Sequence, residues 1–494
     1  MRRASRRASG RRPRLCAVGS RLGVNRCPTF GRCSALPALA GLAICVWRAG
    51  RAALYNSGMV VRRPPHQIIA KQAERPDRAS VVLCRRLCFG ALLAVLLMLP
   101  PPSAQSQTID KPHDATAATD GAAADAFKSC IAGIAPDALR RVSQKTFDAA
   151  TSGLEADPQI LDQLQSQPEF NQPIWQYLDA IVNEDRIAAG RVALLGLRPL
   201  FNAVEEAFGA DRFIIAAIWG VESNFGTDMG SYPVIRATAT LACMGRRQAY
   251  FRNEFLAALE ILERGEVAPD RFKGSWSGAF GGTQFMPTTF LQFAVDFDGN
   301  GRRDIIDDVP DILASTANVL RAYGWTRNKP CAVEVTLPPG FDYSLTSERK
   351  PIAEWTHLGV APSTEARPLD QSDGANLWLP AGHEGPAFLL LNNFEVIKKY
   401  NTAEAYALAV CQLADRLRGG GPLSKPWPRD ERVLSAAERL ELQSLLKSQG
   451  FDVGPIDGMM GTQTRAAIRQ FQAKSNLVPD GFPSTMLLER LRHP

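Results

Sequence analysis

The sequence predicts an α+β fold that is predominantly α, followed by a small three-helix domain. The first observation is a nearly unbroken apolar run, Phe213 to Val221, of the kind found in a helix buried on all sides. The second is a set of helical patterns followed by a strand-like alternation, at 248–263, 287–295, 311–323 and 332–337. The third is a glycine- and proline-rich break at 419–428 that separates a compact tail.

The positive charge of the 494-residue chain is confined to its start. Residues 1–104 hold 19 of the 57 Lys and Arg residues but only 2 of the 50 Asp and Glu residues, so the remaining 38 basic and 48 acidic residues give a formal charge of −10. An acidic body lacks the basic surface that nucleic-acid binding requires. We therefore expect no nucleic-acid partner.

Residues 59–105 have the features of a cleavable signal peptide. Arg85 and Arg86 precede the apolar run 89–99, and small residues ending at Ala104 follow it. The run is too short for a comfortable membrane span, and no later segment reaches the necessary length. We expect export to the periplasm, no stable membrane anchor and a monomeric protein.

Two further segments lie at this end of the chain. Signal peptides start close to the initiator, so Met59 is an alternative initiator that would leave residues 1–58 untranslated. Residues 106–123 are rich in Ala, Asp and Thr and lack an apolar period, which predicts a disordered spacer before a domain spanning 124–418.

Cysteine usage agrees with export. Six of the ten cysteines lie at or before Cys88, which leaves Cys130, Cys243, Cys331 and Cys411. Four cysteines in an oxidising compartment permit two disulfides in three alternative pairings, and the sequence does not choose among them. Buried free thiols are equally consistent with these positions.

Glu222 is the candidate catalytic residue. It is a lone carboxyl at the end of the apolar run, and apolar surroundings favour the neutral form of a carboxyl group. A neutral carboxylic acid can give its proton to a glycosidic oxygen. The alternative is a glutamate that merely ends a helix and points to water.

Four motifs place Glu222 in a wider pattern. They are Gly220-Val-Glu-Ser-Asn-Phe-Gly226, the glycine-rich stretch 274–287, the acidic stretch 296–304, and Asn393-Phe-Glu-Val-Ile-Lys-Lys-Tyr-Asn401. Through these motifs, residues from about Phe127 to Leu417 resemble the lytic murein transglycosylase B family, which cuts peptidoglycan glycan strands. The resemblance implies a lysozyme-like catalytic domain with Glu222 as its acid.

The resemblance also implies a set of substrate contacts. The positions are spread over three of the motifs and all carry polar side chains: Ser223, Asn224, Ser275, Gln284, Asn393 and Tyr400. Without the resemblance, the segment 274–287 would be an ordinary glycine-rich turn.

Asp296, Asp298 and Asn300 fit the opening of an EF-hand loop, which supplies alternate oxygens to a hard cation. The twelfth position is Asp307, and the resemblance offers Asp311 as the closing ligand, so both remain candidates. We expect a structural calcium or sodium ion and no cofactor for catalysis. An acidic turn without metal is the alternative.

The tail begins after a linker at 419–432 and occupies 433–494. Ser435 and Glu438 form a predicted capping box, and further helices are predicted at 463–474 and 484–491. Through 450–464 and 467–472 the tail resembles the peptidoglycan-binding domain family. It is expected to tether the enzyme to glycan strands.

The implied reaction is cleavage of the β-1,4 bond between N-acetylmuramic acid and N-acetylglucosamine. Because the muramoyl 6-hydroxyl attacks its own anomeric carbon, Glu222 can act first as acid and then as base, and 1,6-anhydro ends form. One alternative is a muramidase that uses a second carboxylate such as Asp211, Asp228 or Glu254. Another is a non-catalytic peptidoglycan-binding protein.

Overall fold

The computed structural model describes residues 114–163, 172–363 and 369–493. The upstream segment and the predicted signal peptide therefore lie outside the described residues. The first helix begins at Asp114, inside the segment predicted to be a spacer. Alanine is abundant there and is the residue that most favours helix.

Helices form most of the body. They are α1 (Asp114–Ala138), α2 (Gln144–Thr151), α3 (Pro158–Gln163), α4 (Ile174–Ile181), α5 (Glu184–Gly196), α6 (Arg198–Phe208), α7 (Arg212–Ser223), α8 (Val234–Met244), α9 (Gln248–Glu263), α10 (Pro287–Phe293), α11 (Val309–Ala322), α12 (Ile352–His357), α13 (Asn392–Tyr400) and α14 (Glu404–Arg418). The tail adds α15 (Ala436–Ser448), α16 (Thr462–Lys474) and α17 (Thr485–Arg492). The predicted predominance of helix is confirmed.

Helix α7 is central to the body, as its composition predicts. The Asp211 side chain caps it by accepting a hydrogen bond from the Phe213 N–H, and every residue from Ile214 to Gly220 is buried. It packs against α14, α5 and α11. The helix ends at Asn224, which has left-handed backbone geometry.

Two antiparallel sheets complete the fold. A short one pairs β1 (Tyr232–Pro233) with β2 (Lys273–Gly274). The larger has the order β4-β6-β7-β3-β5 and contains β3 (Ala332–Thr336), β4 (Arg349–Pro351), β5 (Ala361–Pro362), β6 (Gly374–Trp378) and β7 (Ala387–Leu390). Alternate residues of β7 face the helical core, as Phe388 does, and a smaller core around Trp355, as Leu389 does.

Both permitted disulfides are present. Cys130 of α1 is joined to Cys243 of α8, and Cys331 beside β3 is joined to Cys411 of α14. The structure thus selects one of the three pairings that the sequence allowed.

The linker lies against the body. The Glu334 carboxylate accepts hydrogen bonds from the backbone and hydroxyl of Ser424, and the Trp427 ring lies 6.2 Å from that of Trp175. The tail is held by Asp480, which accepts a hydrogen bond of 2.8 Å from the His383 backbone N–H. These contacts fix the path of a segment whose composition predicted a linker.

Within the described residues, no single helix is long and apolar enough to cross a membrane. Helices α5 and α6 reach that length and apolar content only when they are taken together, and the chain bends by 83° between them.

Candidate active site

Glu222 lies in the last turn of α7, where its side chain is half-buried. Its Oε1 accepts a hydrogen bond of 2.6 Å from the hydroxyl of Tyr406, which is buried on α14. The carboxyl group therefore has one oxygen held by the protein core, while the side chain retains access to solvent.

Tyr400 and Tyr406 surround this carboxyl group. Burial raises the pKa of both phenols well above the usual range, and the nearby charge of Glu222 is the second cause. Both hydroxyls therefore stay protonated at neutral pH. Tyr406 can therefore donate a hydrogen bond to Glu222 whether that carboxyl group is protonated or ionised.

Ser223, a predicted substrate contact, lies inside the protein. It is buried, its hydroxyl donates to the Gly282 carbonyl at 2.5 Å, and it accepts a hydrogen bond from the Gly226 N–H. Both bonds hold backbone of the site. We correct its role from substrate contact to a hydrogen-bonded link between α7 and the glycine-rich segment.

Asn224 remains available for substrate. Its side chain is exposed, and its amide donates to the Thr227 hydroxyl at 3.0 Å within the same turn. The left-handed geometry at this position suits asparagine better than most residues. The residue type is thus explained by the turn, and its exposure leaves its oxygen free to meet a ligand.

The glycine-rich segment packs directly under this turn. A Cβ atom at Gly230 would lie 2.2 Å from the Gly274 carbonyl oxygen, so only glycine permits the approach. The Gln284 amide spans the gap by donating to the Met229 carbonyl at 3.1 Å. Ser275 accepts a hydrogen bond from the Ala279 N–H. Gln284 and Ser275 are half-buried at the edge of the segment.

Tyr400 and Asn393, both on α13, have different surroundings. The Tyr400 hydroxyl donates to the Thr283 carbonyl at 2.5 Å, which brings it into the site. Asn393 is fully buried, and its side chain bonds the backbone of Thr326 and Lys329. We therefore correct the predicted substrate contact of Asn393 to a structural role.

The carboxylates considered as partners for Glu222 are differently placed. Asp211 caps the opposite end of α7 and is paired with Arg418. Glu254 is buried and accepts hydrogen bonds from the Thr288 N–H and hydroxyl, and burial raises its pKa. Of the three candidates, only Asp228 is exposed.

The acidic loop, residues 296–311, brings together three of its predicted ligands. Carboxylate oxygens of Asp296, Asp298 and Asp311 lie within 4.8 Å of one another. The Asn300 side-chain amide donates to Asp298, and its oxygen accepts a hydrogen bond from the Arg302 N–H. Asp307 lies outside this group and is instead engaged by both of its oxygens with Arg271. Three converging carboxylates suit a hard cation.

The acidic loop is joined through Gly282 to the turn that follows Glu222, residues 223–226, which we call the catalytic turn. The Gly282 N–H donates to the Ile305 carbonyl at 2.7 Å, and the Gly282 carbonyl accepts from Ser223. Only one residue separates the loop backbone from the residue next to Glu222.

Sequence reasoning missed Tyr406. No motif contained it, although the property that identified Glu222 also applies here, because Tyr406 carries the only polar side-chain group of the buried run from Ala405 to Val410. A single polar group in a buried helix needs a partner. The Tyr406 hydroxyl and the Glu222 carboxyl group are hydrogen-bond partners of each other.

The site is thus a half-buried carboxyl group held by a phenol in a predominantly helical core. The Transglycosylase SLT domain family matches residues 126–415, and the chain belongs to this family. Residues 435–491 match the putative peptidoglycan binding domain family.

Individual relatives agree with this placement. The membrane-bound lytic murein transglycosylase B of Escherichia coli (strain K12) is 33% identical over 247 residues, which are 48% of this chain and 65% of that protein. The chain thus matches slightly less than two thirds of that relative's length. SltB3 from Pseudomonas aeruginosa, solved in complex with NAG-anhNAM-pentapeptide, is 45% identical with a TM-score of 0.70, covering 74% of this chain and 99% of that one.

A more distant solved structure is the Escherichia coli lytic transglycosylase Slt35 in complex with calcium. It is 27% identical with a TM-score of 0.51, and the match covers 60% of this chain and 93% of that one.

Proposed function

We propose that this protein is a peptidoglycan lytic transglycosylase that cleaves the β-1,4 bond between N-acetylmuramic acid and N-acetylglucosamine. The observation that carries the proposal is the Glu222 carboxyl group, fixed by Tyr406 at 2.6 Å within an SLT-family fold. One carboxyl group suffices for this reaction, because the substrate brings its own nucleophile.

In the first step, protonated Glu222 gives its proton to the oxygen that leaves with N-acetylglucosamine, and the bond from that oxygen to the muramoyl anomeric carbon breaks. In the second, the muramoyl 6-hydroxyl oxygen bonds to that carbon, and its proton passes to the Glu222 carboxylate. The glutamate ends as it began, and no water is consumed. An intramolecular nucleophile also brings a large effective concentration.

The Tyr406 hydroxyl would serve both steps. By donating to one carboxyl oxygen, it leaves the other to carry and receive the proton, and it stabilises the carboxylate between the two steps. The C-terminal end of α7 has the opposite influence, because its partial negative charge disfavours a carboxylate. These opposing influences suit a group that must cycle between both forms.

The muramidase alternative requires a second carboxylate beside the anomeric carbon. Asp211 and Glu254 are engaged elsewhere, as described above, so Asp228 is the remaining candidate among the three. It lies in the exposed turn after Glu222. A muramidase would release reducing ends, whereas a transglycosylase releases anhydro ends.

The substrate cleft would be lined by polar groups that surround Glu222. Asn224 is exposed, Ser275 and Gln284 are half-buried at the edge of the glycine-rich segment, and Tyr400 binds that segment. Such positions suit the hydroxyl and acetamido groups of a glycan.

The acidic loop would hold a structural calcium ion through Asp296, Asp298, Asn300 and Asp311. The donor set fits, since all four supply hard oxygen atoms and three carboxylates converge within 4.8 Å. When bound, the ion would neutralise the mutual repulsion of these carboxylates. Sodium is the weaker alternative, because three carboxylates favour a divalent charge.

The wall substrate would place the protein in the periplasm, reached through a signal peptide at residues 59–105. The tail, which matches a peptidoglycan-binding family, would add affinity for the wall without new chemistry. Glycan strands are the partner, and the protein would act as a monomer.

The test is turnover of purified sacculi by the wild type and by Glu222→Gln. The amide keeps the size of the side chain and removes the transferable proton, so release of soluble fragments should fall at least ~1,000-fold, within the range seen for loss of general acid–base catalysis. Sacculus binding should be unchanged, and an unchanged thermal midpoint would show that the variant is folded. A Glu222→Gln variant that retains turnover would overturn the assignment.

A further inference from the structure

The turn after Glu222 has unusual backbone geometry. Three consecutive residues adopt positive φ angles, namely Asn224 at 48°, Phe225 at 60° and Gly226 at 84°. Asparagine and glycine adopt this geometry readily, whereas a bulky phenylalanine is an outlier in it. Such a conformation persists only when the surrounding structure holds it.

The Phe225 ring fills a slot that two glycines create. A Cβ atom would lie 2.6 Å from the ring Cζ if built at Gly220 of α7, and 2.8 Å if built at Gly190 of α5. Both glycines are buried inside helices, where glycine normally costs stability. The absence of a side chain at both positions is therefore explained by the ring.

The slot also joins the turn to the helix that carries Tyr406. A Cβ atom at Gly190 would meet the side chain of Leu417, which lies on α14, so the ring tip sits where α5, α7 and α14 come together. The Trp219 ring packs edge-on against Phe225, with centroids 5.6 Å apart. The helices that present Glu222 and Tyr406 thus meet around one side chain.

We propose that Phe225 is a positioning residue for Glu222. The locked ring holds the left-handed turn, and the turn holds Ser223, because the Gly226 N–H donates to the Ser223 hydroxyl at 2.9 Å. Ser223 is the next residue after Glu222, so the direction of the carboxyl group toward Tyr406 depends on the ring remaining in its slot. The inference rests on the proposed role of Glu222 as acid and base.

Filling the slot tests this without truncating any side chain. In Gly220→Ala the new methyl group displaces the ring, and we expect kcat on soluble glycan fragments to fall at least ~10-fold, because small displacements of catalytic groups are costly. KM should stay within ~2-fold, and the thermal midpoint should not fall in proportion, since alanine favours helix. The matched control is Gly133→Ala on α1, where a Cβ atom meets nothing within 4 Å.

A rescue variant separates positioning from general packing. Leucine at position 225 lacks the Cζ and Cε atoms that approach Gly220, so Gly220→Ala combined with Phe225→Leu should have a higher kcat than Gly220→Ala alone. The alkaline limb of the pH profile should also move in Gly220→Ala and return in the double variant, because the contact between Glu222 and Tyr406 is altered and then restored.

A Gly220→Ala enzyme with wild-type kcat would overturn the proposal. So would a kcat that falls only in step with the thermal midpoint, or a double variant no better than the single one. Failure of the proposed function is seen separately, since activity retained by Glu222→Gln would remove the acid itself, whatever the Gly220 variants show.

Discussion

The turn after Glu222 and the acidic loop look alike in sequence and both bond their polar side chains to backbone, but the turn presents one carboxyl group and the loop brings three together. Both are rich in glycine and polar residues, and they are linked through Gly282. Around Glu222, Ser223 and Gln284 bond to backbone atoms, so that one carboxyl group is held in a defined place. In the loop, Asp296, Asp298 and Asp311 also accept backbone N–H bonds, and their carboxylate oxygens converge on one another.

This difference teaches that residue type identifies a candidate, whereas its neighbours in space decide its role. Changes at the turn should alter the rate of the reaction. Changes at the loop should alter stability and its response to cations. The predictions that follow are ordered from the largest expected effect to the smallest.

Tyr406→Phe should lower kcat by ~10- to 100-fold, because a hydrogen bond to a charged group is worth about 1.5–3 kcal/mol. The bond favours the carboxylate, so its loss should raise the pKa of the catalytic acid and move the alkaline limb of the kcat/KM profile to higher pH. Tyr343→Phe, which changes a half-buried phenol beside the larger sheet, is the control. An unchanged rate and profile in Tyr406→Phe would show that the tyrosine does not act on Glu222.

Asp311→Asn should abolish stabilisation by calcium. At a calcium concentration of 100 times Kd, the wild type should gain about 2.7 kcal/mol in the free energy of unfolding, and the variant should gain much less. Turnover at 25 °C should change little. Asp307→Asn is the matched control, because it breaks only an exposed pair with Arg271 and should keep the calcium response. Equal responses in the two variants would contradict the ligand assignment.

Ser223→Ala should lower the free energy of unfolding by about 1–3 kcal/mol, because the Gly282 carbonyl and the Gly226 N–H both lose a buried partner. Denaturation in urea measures the change. A serine that served substrate alone would leave stability intact and raise KM, and that result would contradict the structural role of Ser223.

Glu254→Gln should leave turnover within ~2-fold and change only the pH dependence of stability. Burial raises the pKa of Glu254 in the folded state above its unfolded value. The folded protein therefore binds its proton more tightly, and the contribution of Glu254 to stability is largest at acid pH and is lost as pH rises through the folded pKa. The variant should lack this loss. A large drop in turnover would instead make Glu254 the second carboxylate of a muramidase.

Local patterns in the sequence predicted part of this structure. Helix α7 and the position of its carboxyl group followed from composition alone, and the acidic loop followed from alternate oxygens before a glycine. Both depend on neighbours within a few residues. The capping box of the tail, Ser435 with Glu438, is confirmed for the same reason.

The remaining features depend on partners far apart in the chain. Ser223 meets Gly282 across 59 residues, and Tyr406 meets Glu222 across 184. Asn393 has a side chain of the type that binds ligands, but this side chain accepts a hydrogen bond from backbone 67 residues away. The disulfide pairing is of the same kind. No local pattern specifies such contacts, because they arise only when the helices pack.

The most direct measurement is mass spectrometry of the fragments that the purified protein releases from peptidoglycan. Closure of the 1,6-anhydro ring without water predicts muramoyl ends about 18 Da lighter than hydrolytic ends. Anhydro ends in the wild type, absent in Glu222→Gln, are the expected result. Reducing ends would contradict the single-carboxyl mechanism and identify a muramidase, and an absence of fragments would identify a wall-binding protein without catalysis.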